Sequence, residues 1–159
     1  MKETIISIKV CEADSASELL PAYADLLQQA VAAAHNAYAP YSRFQVGAAV
    51  LLENGEVVCG ANQENAAYPA GLCAERVALF YANARYPNVP VKAIAISSSC
   101  GGQVNDEPVY PCGDCRQALL EAEMRYGKPV HVIMGGAKKI KMVAGPRDLL
   151  PLSFELKKS

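Results

Sequence analysis

The clearest pattern in the chain lies between residues 44 and 61. Phe44, Val46, Ala48, Val50 and Leu52 alternate with residues of the opposite face, Asn54-Gly55 supplies a tight turn, and EVVCG returns. Alternation on either side of an Asn-Gly pair predicts a β-hairpin. Upstream, Pro21 suits a first helical turn, and Leu27, Val31, Ala34 and Tyr38 recur at helical spacing along AYADLLQQAVAAAHNAYA. That helix must end before Pro40, which disfavours helical geometry in the residue ahead of it. Near the start, the β-branched run TIISIKV, Thr4 to Val10, predicts a strand.

Beyond the hairpin, the loop ANQENAAYPAGL leads to Cys73, where CAERVALFYANARY reads as a helix. VKAIAIS and VHVIM are near-continuous apolar runs, as expected of strands covered on both faces. Between them CRQALLEAEMRYG is helical and stops at Gly127. Helix, hairpin, helix, strand, helix, strand is the order of an α/β fold, here a three-layer α/β/α sandwich with a mixed central sheet. Residues 1–20 read as an N-terminal extension with an extra strand, and 21–156 as one domain without repeat or linker.

Length and charge narrow the picture. A chain of 159 residues, 52% hydrophobic, suits one domain with a substantial core. A net charge of -1 supplies no basic field, so nucleic acid is not an expected partner. The one basic stretch, AKKIKMVAGPR from Ala137 to Arg147, reads as a solvated sheet edge. No apolar run approaches the roughly 20 residues of a membrane span, and the first apolar stretch is short for a signal peptide and interrupted by Lys9. No membrane partner is expected, and the location expected is cytoplasmic, with the 6 cysteines reduced rather than paired into a scaffold.

Reduced thiols can bind metal, and YPCGDCRQ offers Cys112 and Cys115. A zinc held by protein needs three or four ligands. The candidates for a third are Cys11, Cys59, Cys73, Cys100, His35 and His131. Cys73 and Cys112 both sit where a loop hands over to a helix, so free N–H groups and the helix dipole stabilise a thiolate at each. Cys59 in a strand and Cys11 in an edge segment read as small buried hydrophobes. Cys100 lies in the flexible-looking SSSCGGQ, and His35 and His131 read as packed or hydrogen-bonded histidines. Cys73 is therefore the expected third ligand, and three thiolates with one open position describe a catalytic zinc site. Three thiolates leave Zn²⁺ with net negative charge, which Arg76 and Arg116 are expected to offset through hydrogen bonds to sulfur.

Glu75 falls in the first turn of the helix that Cys73 opens. Helical side chains lean towards the N-terminus, so its carboxylate can arch back to the metal side and carry a proton from water to a substrate nitrogen. At this point the residues resemble a known family. CAER at Cys73–Arg76, followed by PCGDCRQ at Pro111–Gln117, is similar to the zinc-dependent cytidine deaminases. YSRFQVGAAV (Tyr41–Val50), NQEN (Asn62–Asn65) and LLPLSF (Leu149–Phe154) resemble that family's Y-S-x-F-x-V-G-A, N-x-E-N and L-L-P-x-x-F segments, so the likeness runs from about residue 21 to 156. Cysteine in CAE, where deaminases of nucleic acids or nucleotides often have histidine, points to the small homotetrameric members.

The resemblance implies Zn²⁺ on Cys73, Cys112 and Cys115, with Glu75 as proton shuttle and the Ala74 N–H on the pyrimidine carbonyl. It implies Asn62 and Glu64 on the ribose 3′-hydroxyl, Phe44 lining the nucleoside pocket, and Phe154 stacking on the base of a neighbouring subunit. The reaction it implies is hydrolytic deamination of cytidine and 2′-deoxycytidine to uridine and 2′-deoxyuridine with release of ammonia, in pyrimidine salvage. The partner is then a small nucleoside, in a homotetramer whose sites neighbours complete. The chain departs from the pattern at YPAGLCAE, where Pro69 stiffens a segment the family often writes Y-G-L-T-x-C-A-E, and in the length of residues 1–20 and of SSCGGQVNDEPVY. Two alternatives are a zinc deaminase of another aminonucleoside or nucleic-acid base, and a non-catalytic zinc module with a fourth ligand such as Cys100.

Overall fold

A computed structural model describes residues 1–156. The elements are β1 (Cys11–Ala13), α1 (Pro21–Ala33), β2 (Phe44–Leu52), β3 (Val57–Ala61), α2 (Ala74–Arg85), β4 (Val91–Cys100), β5 (Gln103–Val104), α3 (Gly113–Tyr126), β6 (His131–Gly135) and β7 (Ile140–Val143). The strands form one sheet in the order β1-β7-β6-β4-β2-β3, with β5 paired to β4. β4 and β6 are parallel and every other pairing is antiparallel. The β2–β3 hairpin closes at Asn54-Gly55, where Leu52 O accepts from the Gly55 N–H at 3.0 Å and Asn54 Oδ1 from the Glu56 N–H at 3.1 Å.

Side-chain alternation builds the three layers. On one face Tyr23, Leu26, Leu27 and Ala30 of α1 pack on Ala49, Leu51, Ala93, Ala95 and Ile133. On the other, Ala78, Leu79 and Ala82 of α2 and Leu119 and Ala122 of α3 pack on Ala48, Val50, Ile94, Ile96 and Met134. Successive strand residues serve opposite layers, which is why Ala48–Leu52, Ala93–Ile96 and Val132–Met134 are apolar at every position. Each fully buried Leu or Ile contributes about 1.5–3 kcal/mol relative to an exposed one.

Two features of this scaffold place the site. Because β4 and β6 are parallel and each is preceded by a helix on the same face, α2 and α3 start at the same end of the sheet. In addition, α2 lies unusually close to β3. A Cβ at Gly60 would stand 2.5 Å from the Ala78 nitrogen and 2.8 Å from the Ala74 oxygen, so only a glycine admits the helix backbone here. At the far end of α3, Gly127 takes the left-handed conformation (φ 64°) that stops the helix, as the sequence predicts.

Several expectations need correction. Thr4–Val10 is not a strand; pairing begins at Cys11, opposite Met142, because β7 ends at Val143 and the chain turns away at Pro146. α1 ends at Ala33 and a 3₁₀ turn follows over Ala34–Asn36, so His35 sits exposed in that turn rather than within the helix. Cys11 and Cys59 are exposed, not buried, since β1 and β3 are the outermost strands of the sheet. Cys100 belongs to β4, opposite Phe44, rather than to a flexible loop. Within the basic stretch, Ile140–Val143 forms an interior strand between β6 and β1, with Ile140 and Val143 buried, in place of the expected solvated edge. Among the described residues no helix is long and apolar enough to cross a membrane.

Candidate active site

Cys73 is the N-cap of α2, Cys112 the N-cap of α3, and Cys115 lies buried in the first turn of α3. Neither cap sulfur bonds its own helix backbone. The sulfurs meet instead, Cys73 to Cys112 at 3.7 Å and Cys112 to Cys115 at 3.5 Å, all three within 4.8 Å of one another. Thiolates about 2.3 Å from one tetrahedral zinc stand just under 4 Å apart, so this donor set fits zinc without rearrangement. Among the described residues the group has three members. Cys11, Cys59 and Cys100 are exposed and outside it, and His131 is engaged elsewhere, its Nδ1 hydrogen-bonded to the Tyr23 hydroxyl in the α1 layer. Cys100 therefore gives no support to a closed four-ligand site.

The electrostatics prepare these thiols for a cation. Hydrogen bonding from Cys115, and then from Arg76 and Cys112, outweighs burial and pulls the Cys73 thiol down to about 5. Cys115 faces that thiolate and is pushed up, first by its bond to Cys73 and then by burial, so a metal must displace its proton on binding. Arg76 lies one turn along α2, its Nη2 4.0 Å from Cys73 Sγ and 3.8 Å from Asp114 Oδ2. Arg116, the other expected partner of sulfur, does something else. Its Nε donates to Pro111 O at 2.8 Å and its Nη1 to Leu149 O at 2.7 Å, tying the C-terminal segment to the loop that carries Cys112.

Glu75 is 5% exposed in the first turn of α2, behind Cys73. Burial, with a further push from the negative charge of Cys73, raises its carboxyl to about 6, near the neutral range where a proton carrier is most effective. Ala74, fully buried beside it, contributes one of the first N–H groups of α2, which have no intrahelical acceptor.

A cleft of about 670 Å³ opens over the sulfurs, running from Tyr41, Asn62 and Glu64 to Cys73 and Cys112. Asn62 and Glu64 both line it, each fixed by a different device. The Asn62 amide mimics a strand partner, accepting from Val46 N at 2.8 Å and donating to Phe44 O at 2.9 Å. Glu64 accepts from the Tyr41 N–H at 2.9 Å and the Ser42 N–H at 3.3 Å, and from the Ser42 hydroxyl, whose bond holds the carboxyl below its ordinary value. Phe44 stands half-exposed at the start of β2 and Phe154 is 69% exposed near the C-terminus; neither is among the residues lining this cleft. The Phe154 carbonyl accepts from Gln117 Nε2 at 3.0 Å, which anchors its segment to α3. Ser42, Tyr68 and Asp114 also line the cleft; the first two fall within YSRFQVGAAV and ANQENAAYPAGL, whose patterns assign them no role there, and Asp114 meets Arg76 only because α2 and α3 start side by side.

A sulfur trio at two helix starts with a buried carboxylate beside it and an open cleft over it defines a zinc hydrolase site on an α/β/α sandwich. Comparison with known proteins narrows this. Residues 22–128 match the family model for the cytidine and deoxycytidylate deaminase zinc-binding region. A cytidine deaminase of Halalkalibacterium halodurans is 46% identical over 98 residues, covering 60% of this chain and 68% of that protein. One from Mycobacterium tuberculosis is 40% identical over 138 residues, 80% of this chain and 85% of its own length. The crystal structure of cytidine deaminase from Burkholderia pseudomallei superposes with a TM-score of 0.68 at 38% identity, over 82% of this chain and 97% of that one. The chain belongs to the cytidine deaminase family.

Proposed function

We propose that this protein hydrolyses cytidine and 2′-deoxycytidine to uridine and 2′-deoxyuridine, releasing ammonia, with Zn²⁺ held by Cys73, Cys112 and Cys115. The observation that carries the reading is the convergence of three sulfurs, two of them (Cys73 and Cys112) lining the cleft, with the buried Glu75 and Cys115 behind them. When bound, zinc supplies the Lewis acidity that makes water nucleophilic near neutral pH. Glu75 takes the proton released as water adds to C4 of the pyrimidine and passes it to N3. It then carries the second proton to the exocyclic nitrogen, which leaves as ammonia while the C4 carbonyl forms. A carboxyl already raised to about 6 suits both directions of transfer. Arg76, by its approach to Cys73, offsets thiolate charge that would otherwise weaken the pull on water.

The nucleoside is held by groups that support a specific orientation. The Ala74 N–H binds the pyrimidine carbonyl, as the unpaired donors of a helix start readily do. Asn62 and Glu64 bind the ribose 3′-hydroxyl, the amide as donor and the carboxylate as acceptor. Recognition through the 3′-hydroxyl admits both ribose and deoxyribose. Phe44, outside the cleft lining of a single copy but tied through its carbonyl to Asn62, meets the sugar end in the assembled site. Phe154 stacks on the base in the cleft of a neighbouring copy within a homotetramer, a reading supported by its exposure on an anchored segment. The role is pyrimidine salvage in the cytoplasm. The test follows ultraviolet loss of cytidine by purified protein before and after chelation. Deamination lost on metal removal and restored by zinc is expected; a rate indifferent to metal, or a preference for oligonucleotides that falls with salt, refutes the reading.

A further inference from the structure

The extension ahead of β1 plays no part in the cleft, yet it carries an apolar load. Ile5, Ile6, Ile8 and Val10 are 92%, 55%, 49% and 40% exposed. Among the described residues no strand pairs with Thr4–Val10, although the run is β-branched and leads directly into β1, the outer strand of the sheet. β7 offers it nothing, since it ends opposite the position before Cys11. Exposed segments of this kind beside a sheet edge are templates for strand addition.

The segment is complementary to itself. Extended, it projects Thr4, Ile6, Ile8 and Val10 to one side and Glu3, Ile5, Ser7 and Lys9 to the other. Laid antiparallel against a second copy about a two-fold axis through Ile6, it sets Glu3 opposite Lys9 at both ends, Thr4 opposite Ile8, and Ile6 opposite its own counterpart. Opposite charges directly across a strand pair stabilise it and like charges oppose it. The adjacent register that brings Lys2 to Lys9, and the one three residues off that brings Glu3 to Glu12, are penalised for that reason.

We propose that Glu3–Lys9 is an intermolecular strand, pairing antiparallel with the same residues of a second copy of this chain through reciprocal Glu3–Lys9 ion pairs. A lipid surface fits less well, because it favours clustered basic residues and Glu3 interrupts them. Two-fold pairing between copies of one assembly also closes on itself, so it covers the apolar run without linking assemblies into fibres. The pairing uses neither zinc nor the cleft and stands separately from the deaminase reading.

Charge reversal tests it on the full chain by sedimentation velocity across a dilution series. Lys9→Glu and Glu3→Lys alone each replace two attractive pairs by two repulsive ones, raising the dissociation constant of the two-copy contact about tenfold. The double variant restores it. In a Cys11→Ser background, Ile6→Cys forms a covalent dimer on mild oxidation much faster than Ile5→Cys, which faces Ser7. Single reversals without effect, a double variant no tighter than either single, or equal cross-linking at positions 5 and 6 overturns the proposal.

Discussion

Replacing Gly60 by alanine tests how the scaffold holds the metal site. The added methyl carbon would lie 2.5 Å from the Ala78 nitrogen and 2.8 Å from the Ala74 oxygen, where ordinary contact begins at 3.4 Å. Both neighbours are backbone atoms of α2, so no rotamer change relieves the clash and the helix must retreat by about 0.9 Å. Overpacking of this kind costs about 1–3 kcal/mol, a fall of roughly 2–10 °C in melting temperature for a chain of this size. The same movement carries Cys73, the residue before Ala74, away from Cys112, now 3.7 Å distant sulfur to sulfur. Metal–ligand distances tolerate about 0.2 Å, and a misplacement near 1 Å costs on the order of 100-fold in rate. Zinc affinity, read by competition with a chromophoric chelator, should fall at least about tenfold, and cytidine turnover more steeply. Gly55→Ala is the control: its positive φ makes alanine costly in the hairpin turn, with nothing within 4 Å and no path to the cysteines. It should lower the melting temperature and leave zinc affinity intact. If Gly60→Ala binds zinc as tightly as the unaltered chain, the close approach of α2 to β3 does not position the site.

Glu75→Gln keeps the shape of a buried side chain and removes its proton, so zinc content and melting should persist while deamination falls by at least about 10²–10⁴-fold; near-normal turnover removes Glu75 from its role. Arg116→Ala strands the Pro111 and Leu149 carbonyls, which accept at 2.8 and 2.7 Å, and should lower stability by about 2–3 kcal/mol in calorimetry while loosening the C-terminal segment to proteolysis. Glu64 has a depressed folded pKa, mainly through the Ser42 hydroxyl, so its contribution is complete above the ordinary carboxylate range and lost as pH falls through the folded value. Ser42→Ala lets that pKa rise, and the acid-side increase in KM for cytidine should move to higher pH; an unmoved profile shows that Glu64 does not bind substrate. Exhaustive chelation should destabilise the start of α2 and of α3 together, visible as faster amide exchange at both, because their cap residues share the ion.

Local chemistry was readable where it was also decisive. The hairpin followed from alternation and Asn54-Gly55, and the sulfur cluster that could hold a metal from cysteines at two helix starts, since cap position and thiolate stability have the same cause. Long-range pairing was not readable. Thr4–Val10 has strand propensity, but whether it pairs depends on where β7 ends, which the segment itself does not encode. Cys59 sits in a strand as expected but is exposed because β3 lies outermost, a property of sheet order alone. Arg116 looked like a ligand's neighbour in sequence, whereas the fold brings two carbonyls, one from Leu149, within its reach.

The order of the ligands along the chain has a bearing on synthesis. Cys73 leaves the ribosome 39 residues ahead of Cys112, and the sheet that brings their helices abreast is incomplete until β6 follows at His131. A nascent chain therefore cannot assemble the full thiolate trio early, and metal capture becomes one of the last events of maturation. Expression in zinc-poor medium should accordingly yield folded protein that is rescued by the ion after synthesis, rather than a chain that failed at the start.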